Sequence, residues 1–189
     1  MKRIMETPVL FAHKVYPDSV CDRIVEEGKN LLIESAGVNI KEKEEYTLDQ
    51  SYRQTEVGFF PKTNWVSDLV QSAVYHANNG HYQAHLTESE HVQFGIYNEG
   101  AFYKAHRDYD LSCNHLRKMS ITIQLTDPSE YEGGDFVLWD FYGNEQRNEL
   151  WRDRGSILVF PSVLKHEVTK VTKGTRMSLV QWHSGPDWR

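Results

Sequence analysis

The sequence contains few cysteines, and their positions exclude two common uses of that residue. Only two occur, Cys21 and Cys113, and they form neither a Cys-x-x-Cys pair nor the spacing of a zinc ribbon. They are also too few for the disulfide framework of a small secreted protein. We therefore expect the chain to fold in a reducing compartment.

Long apolar runs are absent as well. No stretch approaches the roughly 18 consecutive apolar residues of a membrane-spanning helix. The opening residues 1–8 lack the apolar segment of a secretory signal peptide. The sequence therefore predicts a cytoplasmic protein with no membrane partner.

Positive charge is in deficit. The chain has 21 Lys and Arg against 27 Asp and Glu, which gives a formal net charge of −6 and an isoelectric point near 5.8. Nucleic-acid-binding surfaces are basic, so we expect no nucleic-acid partner. A neutral or basic peptide or protein fits this charge better. The sequence makes no prediction about oligomeric state.

The length of 189 residues allows one domain with a full core and is short for two. We expect residues 1–189 to form a single domain, in which residues 1–90 supply helical support and outer strands. Asp18 or Ser19 could cap a first helix, and Asn64 could cap a second that ends in Asn-Asn-Gly at 78–80. Residues 39–51 have no apolar period and are predicted to be an exposed loop.

From residue 91 onward the pattern changes to short β-rich runs separated by Gly, Asp and Asn. These runs are 91–98, 101–106, 117–126, 134–140, 155–160, 165–171 and 174–183. Short strands with turn signals and no intervening helices are typical of an antiparallel double sheet. The predicted fold class is mainly β (α+β), a double-stranded β-helix or jelly roll at 91–184 with supporting N-terminal helices.

Three side chains in this core could bind a metal. His106 and Asp108 stand two apart, so on an extended backbone both project from the same face. His166, on another strand-like run, could complete a face of two histidines and one carboxylate that leaves coordination sites open. About one His-x-acid pair is expected by chance in a chain of this composition, so the motif needs support from its surroundings.

That support comes from Arg176 and Ser178, which follow His166 and share one face of a predicted strand. A guanidinium group matches a carboxylate in a bidentate manner, and the hydroxyl could donate to the same oxygens. A surface salt bridge is the ordinary alternative for Arg176.

The order of these motifs resembles the 2-oxoglutarate- and Fe(II)-dependent dioxygenases, and more narrowly their prolyl 4-hydroxylase-like, PKHD-type branch. The resemblance rests on YNEG at 97–100, YEGGDF at 131–136, VFPS at 159–162, HEV at 166–168 and GTR at 174–176. It covers roughly residues 91–184. It implies an Fe(II) enzyme with 2-oxoglutarate and O2 as cosubstrates, and ascorbate as reductant, that hydroxylates a C–H bond of prolyl residues in a peptide or protein.

The resemblance also implies roles for individual residues. Arg176 would bind the distal (C5) carboxylate of 2-oxoglutarate with help from Ser178, and Tyr97 would occupy the slot that hydrogen-bonds the cosubstrate or faces the substrate. Tyr103 and Trp182 would face the substrate, although all three aromatic residues could equally be ordinary core side chains. One departure is the absence of a tyrosine on the third strand, where Thr122 or Gln124 could replace it.

Other functions remain open on the sequence alone. The same pocket could hydroxylate a free amino acid or another small molecule, or the chain could be a jelly-roll binding module without catalysis. Nucleic-acid demethylation is disfavoured by the negative charge. The loops 39–51 and 109–117 are predicted to close over the substrate.

Overall fold

The computed structural model describes residues 9–36, 38–39, 46–47, 49–109 and 116–186. The loop 109–117 lies almost entirely outside these residues, as do Cys113 and much of the loop 39–51. The α-helices are α1 (Asp18–Lys29) and α2 (Trp65–Ala77). The strands are β1 (Leu10–Ala12), β2 (Glu34–Ser35), β3 (Val38–Asn39), β4 (Tyr46–Thr47), β5 (Arg53–Gln54), β6 (Glu56–Phe60), β7 (Glu88–Ser89), β8 (Val92–Tyr97), β9 (Phe102–His106), β10 (Leu116–Gln124), β11 (Tyr131–Gly133), β12 (Phe136–Trp139), β13 (Glu145–Gln146), β14 (Ile157–Pro161), β15 (His166–Val168), β16 (Val171–Gly174) and β17 (Arg176–Gly185).

The two helices begin in different ways. The side chain of Asn64 accepts a hydrogen bond from the backbone N–H of Val66 at 2.8 Å, which confirms the predicted cap of α2. The predicted cap of α1 is wrong, because Pro17 occupies the cap position without a side-chain hydrogen bond. Asp18 lies instead inside the first turn, where its negative charge still favours the helix N-terminus.

The predicted end of α2 is only partly right. The α-helix stops at Ala77, but the chain continues as one π-helical turn over Asn78–Tyr82. The side chain of Asn78 accepts from the backbone N–H of Ala84 at 2.8 Å and donates to its carbonyl at 2.9 Å. Asn78 therefore closes this turn instead of breaking the helix.

The strands form two main antiparallel sheets. The larger sheet has the order β1-β14-β10-β17-β8-β6-β2, with β7 paired to β17, and the smaller has the order β13-β12-β15-β9-β5. Leu138 of the smaller sheet packs against Leu158 and Phe160 of the larger one. This arrangement confirms the predicted jelly roll, and the long predicted runs from 91 to 183 coincide with its main strands.

The alternation of side chains along β17 separates two environments. Leu179 faces a core formed with the helices, which includes Ile24 of α1 and Val70 of α2. Ser178 and Val180, one residue to either side, line a cavity between the sheets instead. Helices α1 and α2 thus cover the outer face of the larger sheet and leave its inner face for the site.

Among the described residues we find no helix with the length and apolar character that crossing a bilayer requires.

Candidate active site

Strands β9 and β15 bring two histidines side by side. His106 ends β9, His166 begins β15, and the two residues are direct partners across the antiparallel pair. Asp108 follows two residues after His106, and its backbone N–H donates to the carbonyl of Ser162 at 3.1 Å. One potential ligand atom of each of the three side chains lies within 4.8 Å of the other two.

Hydrogen bonds orient both imidazoles. Nδ1 of His106 lies 2.8 Å from the carbonyl oxygen of Lys104, and Nδ1 of His166 lies 3.0 Å from that of Leu164. A carbonyl can only accept, so Nδ1 of each ring carries a proton, and in a neutral imidazole Nε2 is then the nitrogen with the lone pair. The two Nε2 atoms lie 3.5 Å and 3.4 Å from oxygens of Asp108. Electron-pair donors that face one another in this way are stabilised by a cation between them.

Two serines hold the carboxylate of Asp108. The hydroxyl of Ser120 donates to Oδ2 of Asp108 at 2.7 Å, and the hydroxyls of Ser120 and Ser162 lie 2.9 Å apart. Burial alone would raise the pKa of Asp108, but His166, His106 and the Ser120 hydroxyl together hold this pKa far below its ordinary value. The carboxylate therefore stays ionised in spite of its burial.

The protonation states suit a transition metal. Burial is the main cause that lowers the pKa of His166 to about 4, against the opposing effect of Asp108. Near neutral pH His166 is thus neutral while Asp108 is charged, which are the forms that bind metals. Two imidazole nitrogens and one carboxylate form the ligand set of non-haem Fe(II) oxygenases. The donor set of this trio therefore fits Fe(II).

Arg176 lies on the inner face of β17 and is only 3 % exposed. Its Nη1 donates to the hydroxyl of Ser178 at 3.1 Å, and its guanidinium carbon lies 5.3 Å from the centroid of the Tyr97 ring. Burial raises the pKa of the nearby Tyr131, and Arg176 opposes this rise. No carboxylate of the described residues pairs with Arg176. A buried arginine of this kind is suited to bind the carboxylate of a ligand.

A pocket between the sheets joins these features, with about 450 Å³ of empty space that includes the solvent at its mouth. All of the predicted site residues line it: His106, Asp108, His166, Arg176, Ser178, Tyr97, Tyr103 and Trp182. The structure thus brings the residues predicted from distant motifs into one pocket between the two sheets.

The two substitutes proposed for the missing tyrosine lie in different places. Thr122 lines the cavity. Gln124 does not, because its amide donates to the hydroxyl of Tyr131 at 3.2 Å and to the carbonyl of Thr126 at 3.3 Å. Thr122 is therefore the better candidate for a second contact with a bound carboxylate.

The sequence interpretation missed several residues of the wall. Gln93 lies four residues before Tyr97 on β8, and this period-two spacing could have identified it. Arg53 lies in a polar segment with no periodic pattern, so nothing in the sequence indicated that it is buried. Phe136 and Phe160 add apolar surface beside His166, with ring centroids 5.6 Å and 5.0 Å from the imidazole.

Comparison with known proteins identifies the family of this pocket. The family model described as 2OG-Fe(II) oxygenase superfamily matches residues 92–184, a range that contains His106, Asp108, His166 and Arg176 in their observed order. The chain belongs to this superfamily. As a 2OG-Fe(II) oxygenase it is expected to use Fe(II) and 2-oxoglutarate, which agrees with the donor set of the trio.

A curated relative places this oxygenase near the PKHD-type hydroxylases. A PKHD-type hydroxylase from Acinetobacter baumannii is 32 % identical over 130 residues, which are 65 % of this chain and 55 % of the relative. The chain thus spans about half the length of the curated relatives it matches.

Solved structures confirm the fold of the oxygenase. A prolyl-4-hydroxylase from Pseudomonas putida aligns with a TM-score of 0.70 at 19 % identity, over 96 % of this chain and 95 % of that chain. A prolyl hydroxylase from Trichoplax adhaerens, solved in complex with a peptide fragment of hypoxia inducible factor, gives 0.76 at 13 % identity, over 95 % and 84 %. At these identities the likeness is one of fold.

Proposed function

We propose that this oxygenase hydroxylates a C–H bond of prolyl residues in a peptide or protein, with Fe(II) and 2-oxoglutarate. The observation that carries the proposal is the position of Arg176, a buried guanidinium without a carboxylate partner among the described residues, in the same cavity as the metal-binding trio. Together they match a ligand that carries both a carboxylate and metal-binding oxygens.

The residues of the cavity would have separate roles in this reaction. His106, Asp108 and His166 would hold the iron, and Arg176 with Ser178 would hold the distal carboxylate of 2-oxoglutarate. Bound iron would supply the activation of O2 that is coupled to oxidative decarboxylation of 2-oxoglutarate. His166, His106 and the Ser120 hydroxyl keep Asp108 ionised, and Phe136 and Phe160 help to exclude water from the site.

A peptide substrate is supported by a further residue on the inner face of β17. Trp182 lines the cavity, and the indole N–H of Trp182 is buried without a hydrogen-bond partner in the described part of the chain. Such a donor could bind a main-chain carbonyl of the substrate. The names of the relatives, hydroxylase and prolyl hydroxylase, agree with this reaction class.

The experiment is a turnover assay with matched peptides. The protein is incubated with Fe(II), 2-oxoglutarate, ascorbate and either a proline-containing peptide or its Pro→Ala counterpart. We expect succinate formation and the gain of one oxygen atom on the proline, both detected by mass spectrometry. The variants His106→Ala, Asp108→Ala and His166→Ala should each lose turnover, because removing one ligand breaks the metal face. His76→Ala, on the exposed side of α2, is the control.

Two outcomes would contradict the proposal. Hydroxylation of free proline with no reaction of peptides would assign a small-molecule substrate. Absence of 2-oxoglutarate turnover in protein that binds metal would favour a binding module.

A further inference from the structure

Three side chains form a stack on one side of the predicted metal site. The rings of Tyr103 and His106 are nearly parallel, with an interplanar angle of 17° and centroids 3.6 Å apart. The guanidinium carbon of Arg53 lies 4.4 Å from the centroid of the Tyr103 ring. Because the imidazole already covers one face of that ring, the guanidinium must cover the other. Tyr103 is therefore enclosed between a cation and a predicted iron ligand.

The backbone of the same segment holds the strand that carries the ligand. Arg53 and Tyr103 are direct partners in the pairing of β5 with β9. The backbone N–H of Lys104 donates to the carbonyl of Tyr52 at 3.0 Å. The hydroxyl of Tyr52 donates to the carbonyl of Ala105, the residue before His106, at 3.1 Å. Tyr52 and Arg53 thus bind the backbone of β9 immediately before His106.

Arg53 is itself fixed from the opposite sheet. It is 9 % exposed, and its Nη2 donates to Oε1 of Gln93 on β8 at 3.3 Å. The ring of Tyr52 meets the ring of Tyr103 edge-on, with centroids 6.0 Å apart. A cation over an aromatic face is stabilising, and more so when both groups are removed from water. Arg53 therefore has little freedom to leave the Tyr103 ring.

His106 has few other restraints on its orientation. Its side chain is 10 % exposed, against 7 % for that of His166. Apart from the hydrogen bond of Nδ1 and the Asp108 oxygen 3.5 Å from Nε2, its ring has two aromatic contacts among the described residues: His166, at a tilted angle of 55°, and Tyr103. A hydrogen bond at one ring atom permits rotation about that bond, whereas a stacked ring prevents it. The direction of Nε2 thus depends on Tyr103.

We propose that Tyr52 and Arg53 are positioning residues for the metal site, which press the ring of Tyr103 against His106 and so fix the direction of its Nε2. This inference rests on the proposed function only in taking His106 as a metal ligand. Both residues lie outside the range 92–184 that matches the family model. The N-terminal half of the chain would therefore contribute to metal affinity, and not only to the core.

The test is the affinity of the metal-free protein for Co(II), measured by calorimetry and by the visible spectrum of the bound ion. Loss of groups that orient metal ligands typically weakens binding about 10- to 100-fold. We expect weakening of about 10-fold for Tyr103→Leu and Arg53→Met, with a changed Co(II) spectrum. Tyr103→Phe keeps the ring and should bind like the original protein. Gln54→Met, an exposed neighbour on β5, is the matched control.

A second substitution guards against loss of folding. Arg53→Lys keeps the charge without the planar group, so we expect an intermediate affinity and an unfolding temperature close to that of the original protein. Unchanged Co(II) affinity and spectrum in Tyr103→Leu and in both Arg53 variants would overturn the inference. It would also be overturned if Arg53→Met raised only the KM for peptide, since this would mean a substrate contact.

Failure of the proposed function would look different. His166→Ala should abolish Co(II) binding at this site whatever the role of Arg53. Unchanged Co(II) binding in His166→Ala would refute the metal site itself. If His166→Ala lost Co(II) binding while the Arg53 and Tyr103 variants kept the original Co(II) affinity, only the positioning role would be refuted.

Discussion

Arg176 shows how burial changes the meaning of a single residue. Arginine is almost never fully buried unless it is paired, because removing its charge from water is costly. Here the guanidinium has a serine hydroxyl and two tyrosines near it, and the opposite charge is missing among the described residues. A dicarboxylate ligand would supply that charge, so the site is incomplete in energetic terms without it.

Removal of this charge should therefore affect the cosubstrate alone. We expect Arg176→Ala to raise the KM for 2-oxoglutarate at least about 10-fold, because a hydrogen bond to a charged group contributes roughly 1.5–3 kcal/mol. Arg176→Lys should be intermediate, since lysine keeps the charge but loses the bidentate geometry. Titration of 2-oxoglutarate at saturating metal measures the KM of both variants. Co(II) affinity serves as the control and should not change.

An unaltered KM in Arg176→Ala would place the carboxylate-binding group elsewhere in the cavity. Thr122 would then be the next residue to substitute, because it lines the same wall.

At the residue scale, what could be predicted depended on the spacing of the motifs. His106 and Asp108 share a strand face by their spacing alone, and Arg176 lies at a fixed offset from His166. Ser120 and Arg53 gave no such signal, because their roles depend on which strand lies opposite. Ser120 meets Asp108 only through the position of β10 beside β14, and Arg53 meets Tyr103 only through β5 and β9.

At the scale of elements, the turn before β17 determines where Arg176 points. Gly174 ends β16 with a φ of +74°, and Thr175 alone separates it from β17. A Cβ atom at Gly174 would lie 2.1 Å from the backbone oxygen of Glu130. Neither the backbone angle nor the space tolerates a side chain.

We expect Gly174→Ala to destabilise the protein by more than the roughly 1 kcal/mol that a left-handed conformation costs an ordinary residue. The chain offers a matched control in Gly143→Ala, because Gly143 has a φ of +86° but nothing within 4 Å of its Cβ position. Chemical denaturation of both variants separates the cost of the left-handed backbone from the cost of the contact with Glu130. Equal losses would mean that the chain around Glu130 yields to the methyl group, and that the contact does not matter.

Elements with a long periodic pattern could be predicted, and the shortest could not. The runs that became β8, β10 and β17 alternate over six or more residues. Strands β5 and β13 are two residues long, so they carry no period, and pairing with a neighbour creates them. This is why the sequence identified the predicted metal trio but missed the pairing of β5 with the strand that carries His106.

At the scale of the whole molecule, the two faces of the larger sheet have different environments. Its inner face holds the charged site, whereas its outer face, toward α1 and α2, holds a mainly apolar core. His183 lies on the same face of β17 as Leu179, and Gln181 lies between them on that face. It is 2 % exposed, and its Nε2 lies 3.0 Å from Oε1 of Gln181. Burial of this kind favours the neutral form of the histidine.

The stability of the fold should therefore fall in mild acid. Burial lowers the pKa of His183 from 6.5 to about 4. Between these two values the unfolded chain binds a proton that the folded chain does not, so stability is lost as the pH falls from about 6.5 to about 4 and the loss is complete below that. At pH 5 this single group should cost about 2 kcal/mol. The effect acts on the stability of the whole fold, because the pKa of His183 differs between the folded and the unfolded chain.

The variant His183→Gln removes this titration while it keeps an amide N–H that can donate to Gln181. Urea denaturation at pH 7, 6 and 5 should show a smaller loss of stability in the variant than in the original protein, by about 2 kcal/mol at pH 5. His76→Gln, on the exposed side of α2, should follow the original protein at every pH. If His183→Gln followed it as well, His183 would not be held neutral by the fold. The outer core would then open to water more readily than its burial indicates.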